Sequence, residues 1–77
     1  MSLRGYSFRL VKANQAADPE NIGVRLGRYC ITNDIPVSTI ATKLGVTRMT
    51  IYNWFTGVGV PNKTKAKKIE KLLIKYN

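Results

Sequence analysis

The sequence contains no histidine, one cysteine and only four acidic residues among its 77 positions. With no histidine and a single thiol at Cys30, the chain lacks the ligands of a structural zinc site and the partner for an intrachain disulfide, which predicts a reducing, cytoplasmic setting. The acids are scattered at Asp18, Glu20, Asp34 and Glu70, and the thiol has no histidine to act as its base. We therefore expect no enzyme, no metal and no cofactor.

Long hydrophobic runs are also missing. No stretch approaches the ~20 apolar residues that span a bilayer, and the N-terminal residues lack the apolar core of a signal peptide. The sequence is instead rich in positive charge, with thirteen Lys and Arg against four Asp and Glu and a formal net charge of +9. Such a charge attracts polyanions, either nucleic acid or an anionic membrane. The 44% of hydrophobic residues predict one small folded domain.

Apolar residues at helical spacing, between capping and terminating residues, predict four helices over residues 18–33, 36–44, 47–56 and 62–76. The first helix is expected to begin at Asp18-Pro19-Glu20, where a cap acceptor, a proline and an acid follow in order. The second and third are short and meet at Gly45, which tolerates a left-handed turn. The fourth is amphipathic and carries most of the lysines.

Residues 1–17 allow more than one interpretation. Tyr6, Phe8 and Leu10 alternate with polar residues as in a strand, yet no second strand is predicted to pair with them. We favour an ordered extension that packs on the helices through these three side chains. A strand that pairs with another protomer stays open, as does a basic arm carrying Arg4, Arg9 and Lys12. The predicted fold is all-α, a compact domain of four helices, or five, over residues 18–77 with an N-terminal extension.

The segment VSTIATKLGVTRMTIYNWFTG, residues 37–57, resembles the helix-turn-helix of the Cro and lambda-type repressor family, common among phage and bacterial transcription regulators. The residues that carry the resemblance are Ile40, Ala41, Leu44, Gly45, Val46, Ile51, Trp54, Gly57 and Pro61. The resemblance implies a helical domain whose second motif helix, about residues 47–56, enters the major groove of double-stranded DNA.

The orientation of this second motif helix determines what it can contact. If Val46, Ile51 and Trp54 face the interior, the opposite side carries the predicted base-contacting residues, which are Thr47, Arg48, Met49, Tyr52 and Asn53. By resemblance, the arginine, methionine and asparagine match side chains that read bases. Arginine suits guanine, asparagine suits adenine and methionine can pack on a thymine methyl group. Thr47 and Tyr52 suit either bases or phosphates.

Phosphate contacts are expected from helix N-termini and from polar or cationic residues near the motif, namely Val37, Ser38, Lys43, Asn62 and Lys63. The sequence departs from the family pattern at three places. The loop after Gly57, often basic in relatives, is Val58-Gly59-Val60, which moves the positive charge toward Lys63. Where relatives open the first motif helix with a polar cap and a glutamine, this chain has Pro36 and Val37. Where many relatives bury an Arg–Glu salt bridge, it has Cys30 and Phe55, so an apolar pair replaces the charged pair as a unit.

These features favour a sequence-specific transcription regulator that binds double-stranded DNA, a Cro-like or repressor-like protein of phage type acting in the cytoplasm of a bacterial host. The alternative is a DNA-binding adaptor in phage DNA packaging or replication, whose N-terminal segment docks a larger protein machine. A homodimer on two half-sites is one expected assembly, with Tyr76, Val58, Val60 and the N-terminal segment as candidate surfaces. We expect no membrane partner, because the core needs the apolar stripe of the last helix, and no small-molecule substrate.

Overall fold

The computed structural model describes residues 6–75, and within them the chain forms five helices and no strand. The helices are α1 (Phe8–Ala16), α2 (Ile22–Thr32), α3 (Val37–Leu44), α4 (Arg48–Phe55) and α5 (Lys63–Lys75). The all-α prediction is therefore confirmed, in its five-helix form. Arg4 and Tyr76 lie outside the described residues. None of the described helices is long and apolar enough to cross a membrane.

Residues 8–16 of the N-terminal segment form a helix, so the strand-like interpretation is wrong for Phe8 and Leu10. Ser7 begins α1 as its N-cap, because its hydroxyl oxygen accepts a hydrogen bond from the Leu10 N–H at 3.1 Å. Tyr6 is buried and its hydroxyl donates to the carbonyl oxygen of Ile35. Leu10 is half-buried, whereas Phe8 is 55% exposed, so packing was predicted correctly for two of the three side chains.

The start predicted for α2 at Asp18-Pro19-Glu20 is also wrong. The Asp18 carboxylate accepts a hydrogen bond from the Glu20 N–H at 2.9 Å, which closes a turn rather than a helix. Asn21 is the N-cap instead, and its side-chain oxygen accepts from the Gly23 N–H at 2.8 Å. The helix ends where it was predicted to end, with Asn33 as its C-cap.

The turn between α3 and α4 has the predicted geometry. Gly45 ends α3 in the left-handed conformation, with φ 68° and ψ 36°. The Val46 N–H donates to the Ala41 carbonyl oxygen at 3.0 Å, which satisfies one of the last carbonyls of α3. Lys65 of α5 satisfies another, since its ammonium nitrogen donates to the Leu44 carbonyl oxygen at 2.6 Å. The two short helices are thus closed on each other and tied to α5.

The core lies between α2, α4 and α5. Its fully enclosed large side chains include Leu26, Ile51, Phe55 and Ile69. α2 and α4 approach closely at two glycines one helical turn apart: a Cβ on Gly23 would lie 2.8 Å from the Trp54 Cβ, and one on Gly27 would lie 2.9 Å from the Phe55 Cγ. These glycines let α4 dock directly on the backbone of α2, which determines which face of α4 is left outside.

Candidate nucleic-acid interface

α4 has one buried face and one exposed face. Ile51, Trp54 and Phe55 are buried, and Trp54, the least enclosed of the three, is 6% exposed. On the other face, Arg48 is exposed and Met49 is 68% exposed. The orientation predicted for this helix, with Ile51 and Trp54 inward, is therefore confirmed.

Thr47 closes the first turn of α4. Its hydroxyl oxygen accepts a hydrogen bond from the Thr50 N–H at 3.2 Å and lies 3.1 Å from the Thr50 hydroxyl. This cap orders the turn that carries Arg48 and Met49. Thr47 is itself exposed, but any base contact that it makes has to share a hydroxyl group already engaged in capping.

Tyr52 and Asn53 lie one turn further along α4, on two different rows of its surface. Tyr52 follows Arg48 at a spacing of four and is 39% exposed. Asn53 follows Met49 at the same spacing but is only half-exposed, because the loop after α4 passes beside it. The Gly59 N–H donates to the Asn53 carbonyl oxygen at 3.1 Å. The asparagine therefore lies deeper than Met49, and base contact by its side chain stays a prediction.

The second group of predicted contacts, Val37 and Ser38, lies at the N-terminus of α3. Pro36 is its N-cap and supplies no side-chain hydrogen bond, whereas Ser7, Asn21 and Thr47 each cap their own helix. The first amides of a helix have no partner within it, so Val37 and Ser38 offer backbone N–H groups to an anion. The Val37 side chain is buried, so any phosphate contact at this position comes from its backbone, and Ser38 is exposed.

Asn62 and Lys63 form the third group, at the start of α5. The Asn62 side-chain oxygen accepts a hydrogen bond from the Lys65 N–H at 2.9 Å, so this residue caps α5. With the oxygen used in this way, the side-chain NH₂ of Asn62 is the group suited to donate to a phosphate. Lys63 is exposed at the first position of the helix.

Lys43 occupies a different place from the other predicted phosphate contacts. It lines a pocket of about 310 Å³ between α3 and α5, together with Leu44, Lys68, Lys71 and Leu72. No residue of α4 lines this pocket. The structure thus groups Lys43 with the lysines of α5 and not with the exposed face of α4.

An element that the sequence did not assign to the site lies beside α4. Ser7, Arg9, Leu10 and Ala13 of the α1 region face Tyr52 and Thr56 across an open cleft of about 520 Å³. The exposed face of α4 is thus bordered by α1 on the Tyr52 side and by the loop after α4 on the Asn53 side. In the sequence, the capping residue Ser7 before Phe8 was the signal that could have predicted a helix here.

Among the described residues, Cys30 and Tyr6 are titratable groups enclosed in the core. Burial raises the pKa of the Cys30 thiol to about 12, and burial also raises the pKa of Tyr6 above its usual range. Both groups are therefore neutral near pH 7. A protonated, enclosed thiol is a poor nucleophile and a poor metal ligand.

The sequence profile of the helix-turn-helix family, of the Cro and lambda-repressor type, matches residues 32–75, more than half of the chain. The match begins at the end of α2 and includes α3, α4 and α5, but not α1. No curated protein and no solved structure matches the chain. The chain therefore belongs to the helix-turn-helix family of DNA-binding transcription regulators.

Proposed function

We propose that this protein is a sequence-specific regulator that inserts α4 into the major groove of double-stranded DNA. The observation that carries the proposal is the division of α4 into two faces: Trp54 is buried, while Arg48 and Met49 project from the opposite side. An α-helix fits the width of the major groove, where each base pair presents a distinct set of donors and acceptors. A helix held by a core on one side and open on the other is suited to that use.

The base contacts follow from the chemistry of the exposed side chains. Arg48 donates two hydrogen bonds to O6 and N7 of a guanine, and Met49 packs against a thymine methyl group. Asn53, which lies beside the loop after α4, pairs with N6 and N7 of an adenine. Thr47 and Tyr52 border this set and contact either base edges or phosphates.

Phosphate contacts orient the helix in the groove without reading sequence. The backbone amides of Val37 and Ser38 bind one phosphate at the N-terminus of α3, where no side chain occupies the cap position. Asn62 and Lys63 bind another at the N-terminus of α5. Lys43, on the side of α3 that faces α5, binds a further phosphate.

As a regulator of the Cro or repressor kind, the protein acts by occupying an operator and blocking or recruiting polymerase. One module of this size makes few base contacts, so we propose a homodimer on two half-sites about one helical turn apart. We also propose a phage origin and, with it, the cytoplasm of a bacterial host, because small repressors of this kind are common in phages.

The test is selection of bound sequences from a random DNA pool, carried out with the native protein, with Arg48→Ala and with Arg25→Ala as a matched control. Arg25 is an exposed arginine on α2, so its loss removes the same charge away from α4. Arg48→Ala should abolish the preference at one base pair, at a cost of about 1–3 kcal/mol, and Arg25→Ala should leave the preferred sequence unchanged.

Two results would overturn the proposal. One is an unchanged base preference in Arg48→Ala, which would mean that α4 does not read that position. The other is discrimination by the native protein below about 10³-fold between selected and random DNA, combined with tight binding to another protein. That second result is the behaviour expected of the packaging or replication adaptor.

A further inference from the structure

The cleft between α1 and α4 adjoins the face of α4 that we assign to DNA. Tyr52 and Thr56 form one wall of the cleft, and Ser7, Arg9, Leu10 and Ala13 form the other. Arg48, Tyr52 and Thr56 are spaced four residues apart and therefore lie in one row along α4. The cleft thus continues directly from the row that begins at Arg48.

The residues that line this cleft suit a polyanion. Arg9 is exposed and is the one cation among them, and no acidic residue is present in the set. The hydroxyl groups of Ser7, Tyr52 and Thr56 add neutral polar groups around it, while Leu10 and Ala13 add apolar surface. A sugar–phosphate backbone presents this combination of negative oxygens and apolar sugar carbons.

α1 holds Arg9 in a defined position relative to α4. The Asn14 side chain donates hydrogen bonds to the carbonyl oxygens of Val24, at 3.1 Å, and Phe55, at 2.7 Å, and so ties α1 to both α2 and α4. At the C-terminus of α1, the Arg28 guanidinium donates to the carbonyl oxygen of Gln15 at 3.1 Å. Arg9 therefore extends from a docked helix and not from a loose arm.

We propose that this cleft receives the DNA backbone that borders the groove entered by α4, with Arg9 bound to a phosphate. This inference rests on the proposed function and adds an element that the family match does not include, since the match begins at residue 32. α1 is then a second wall of the DNA site, and the molecule contacts one more phosphate than the helix-turn-helix motif alone provides.

The experiment compares Arg9→Ala with Lys12→Ala in fluorescence anisotropy titrations of the full chain with its selected duplex. Both changes remove one positive charge from α1. Lys12, however, does not line the cleft and lies over the Phe8 ring, with its ammonium nitrogen 5.4 Å from the ring centroid. Arg9→Ala should weaken binding roughly 5- to 10-fold near 0.1 M salt, and Lys12→Ala less than about 2-fold.

Two further readouts identify the contact as a phosphate. Arg9→Ala should reduce the slope of log K against log salt by about one, and it should leave the preferred base sequence unchanged. Arg9→Gln and Arg9→Lys are made in parallel, and thermal melts confirm that the variants fold. The lysine variant should recover most of the affinity because the charge is restored.

Equal effects of Arg9→Ala and Lys12→Ala would overturn the inference, since only general charge would then be involved. A changed base preference in Arg9→Ala would overturn the assignment of Arg9 to the DNA backbone. Unaltered DNA binding in Arg9→Ala, combined with lost binding to an acidic protein, would assign the cleft to that protein. If Arg48→Ala also leaves DNA binding and base preference intact, the proposed function has failed. If only Arg48→Ala reduces binding, the function stands and the inference about α1 is wrong.

Discussion

Cys30 and Phe55, which stand where many relatives bury an Arg–Glu pair, are both fully enclosed. The Phe55 ring packs beside the Tyr6 ring, with 6.2 Å between their centroids, so the segment before α1 helps to cover this apolar pair. An apolar pair avoids the cost of desolvating two charges. The exchange is neutral only when both partners change together, because either charge alone would be buried without a counter-ion.

We predict that Cys30→Arg destabilises the protein by about 3–5 kcal/mol, because the guanidinium would enter the core without a partner. The measurement is urea unfolding followed by the fluorescence of Trp54, the one tryptophan of the chain. Cys30→Val is the matched control and should cost less than about 1.5 kcal/mol, since it keeps an apolar side chain of similar size. Unchanged stability in Cys30→Arg would mean that this position does not correspond to the charged one in relatives.

At the residue scale, the sequence predicted well which side chains of α4 face inward and which face outward. It did not predict the hydrogen bonds and loop contacts that individual residues make. The burial of Ile51 and Trp54 follows from helical periodicity, which needs only the spacing of apolar residues. The partial covering of Asn53 and the bond from Lys65 to the Leu44 carbonyl depend on how a distant loop or helix is placed. Such contacts are set by tertiary packing, and no periodicity within α4 or α5 encodes them.

At the scale of elements, α3, α4 and α5 were predictable because each has an apolar stripe and a clear end. α1 was not, because a polar residue lies on its inward face. Leu10 and Asn14 are four residues apart on one side of α1, but asparagine is not a core residue by type. Asn14 is nevertheless 1% exposed. Its side chain donates hydrogen bonds to carbonyl oxygens of α2 and α4, and the sequence of α1 alone does not encode these partners.

We predict that Asn14→Leu destabilises the protein by about 2–4 kcal/mol, although leucine has a similar size and is apolar. The change removes the donor to the Phe55 carbonyl oxygen, which lies in the last turn of α4 and would stay buried without this partner. The space is also confined, since a Cβ on Gly27 would lie 2.6 Å from the Asn14 amide nitrogen.

The same urea experiment tests this prediction, with Gln15→Leu as the control, because Gln15 is exposed on the same helix. That control should change the free energy of unfolding by less than about 0.5 kcal/mol. Equal stability of Asn14→Leu and the native protein would show that α1 is not held through this side chain. The account of Arg9 would then lose its rigid support.

At the scale of the whole molecule, the net charge of +9 does not say which cations meet DNA. Several are engaged elsewhere: Arg28 caps the end of α1, and Lys65 binds the Leu44 carbonyl oxygen. The cations that our proposals place at DNA are Arg9, Lys43, Arg48 and Lys63. Composition predicts a polyanion partner, but only the fold selects this smaller set.

The salt dependence of binding distinguishes this small set from a diffuse positive surface. Three of these cations, Arg9, Lys43 and Lys63, are placed at phosphates. They predict a slope of log K against log salt of about −3 per protomer on the selected duplex, because each neutralised phosphate contributes about −0.9. Lys63→Ala should make the slope shallower by about one unit. Arg25→Ala removes an equal charge from the exposed surface of α2 and should leave the slope unchanged. A native slope near −8, with equal effects of the Lys63 and Arg25 variants, would mean that the protein binds DNA through its overall charge. The orientation proposed for α4 would then no longer be needed to explain binding.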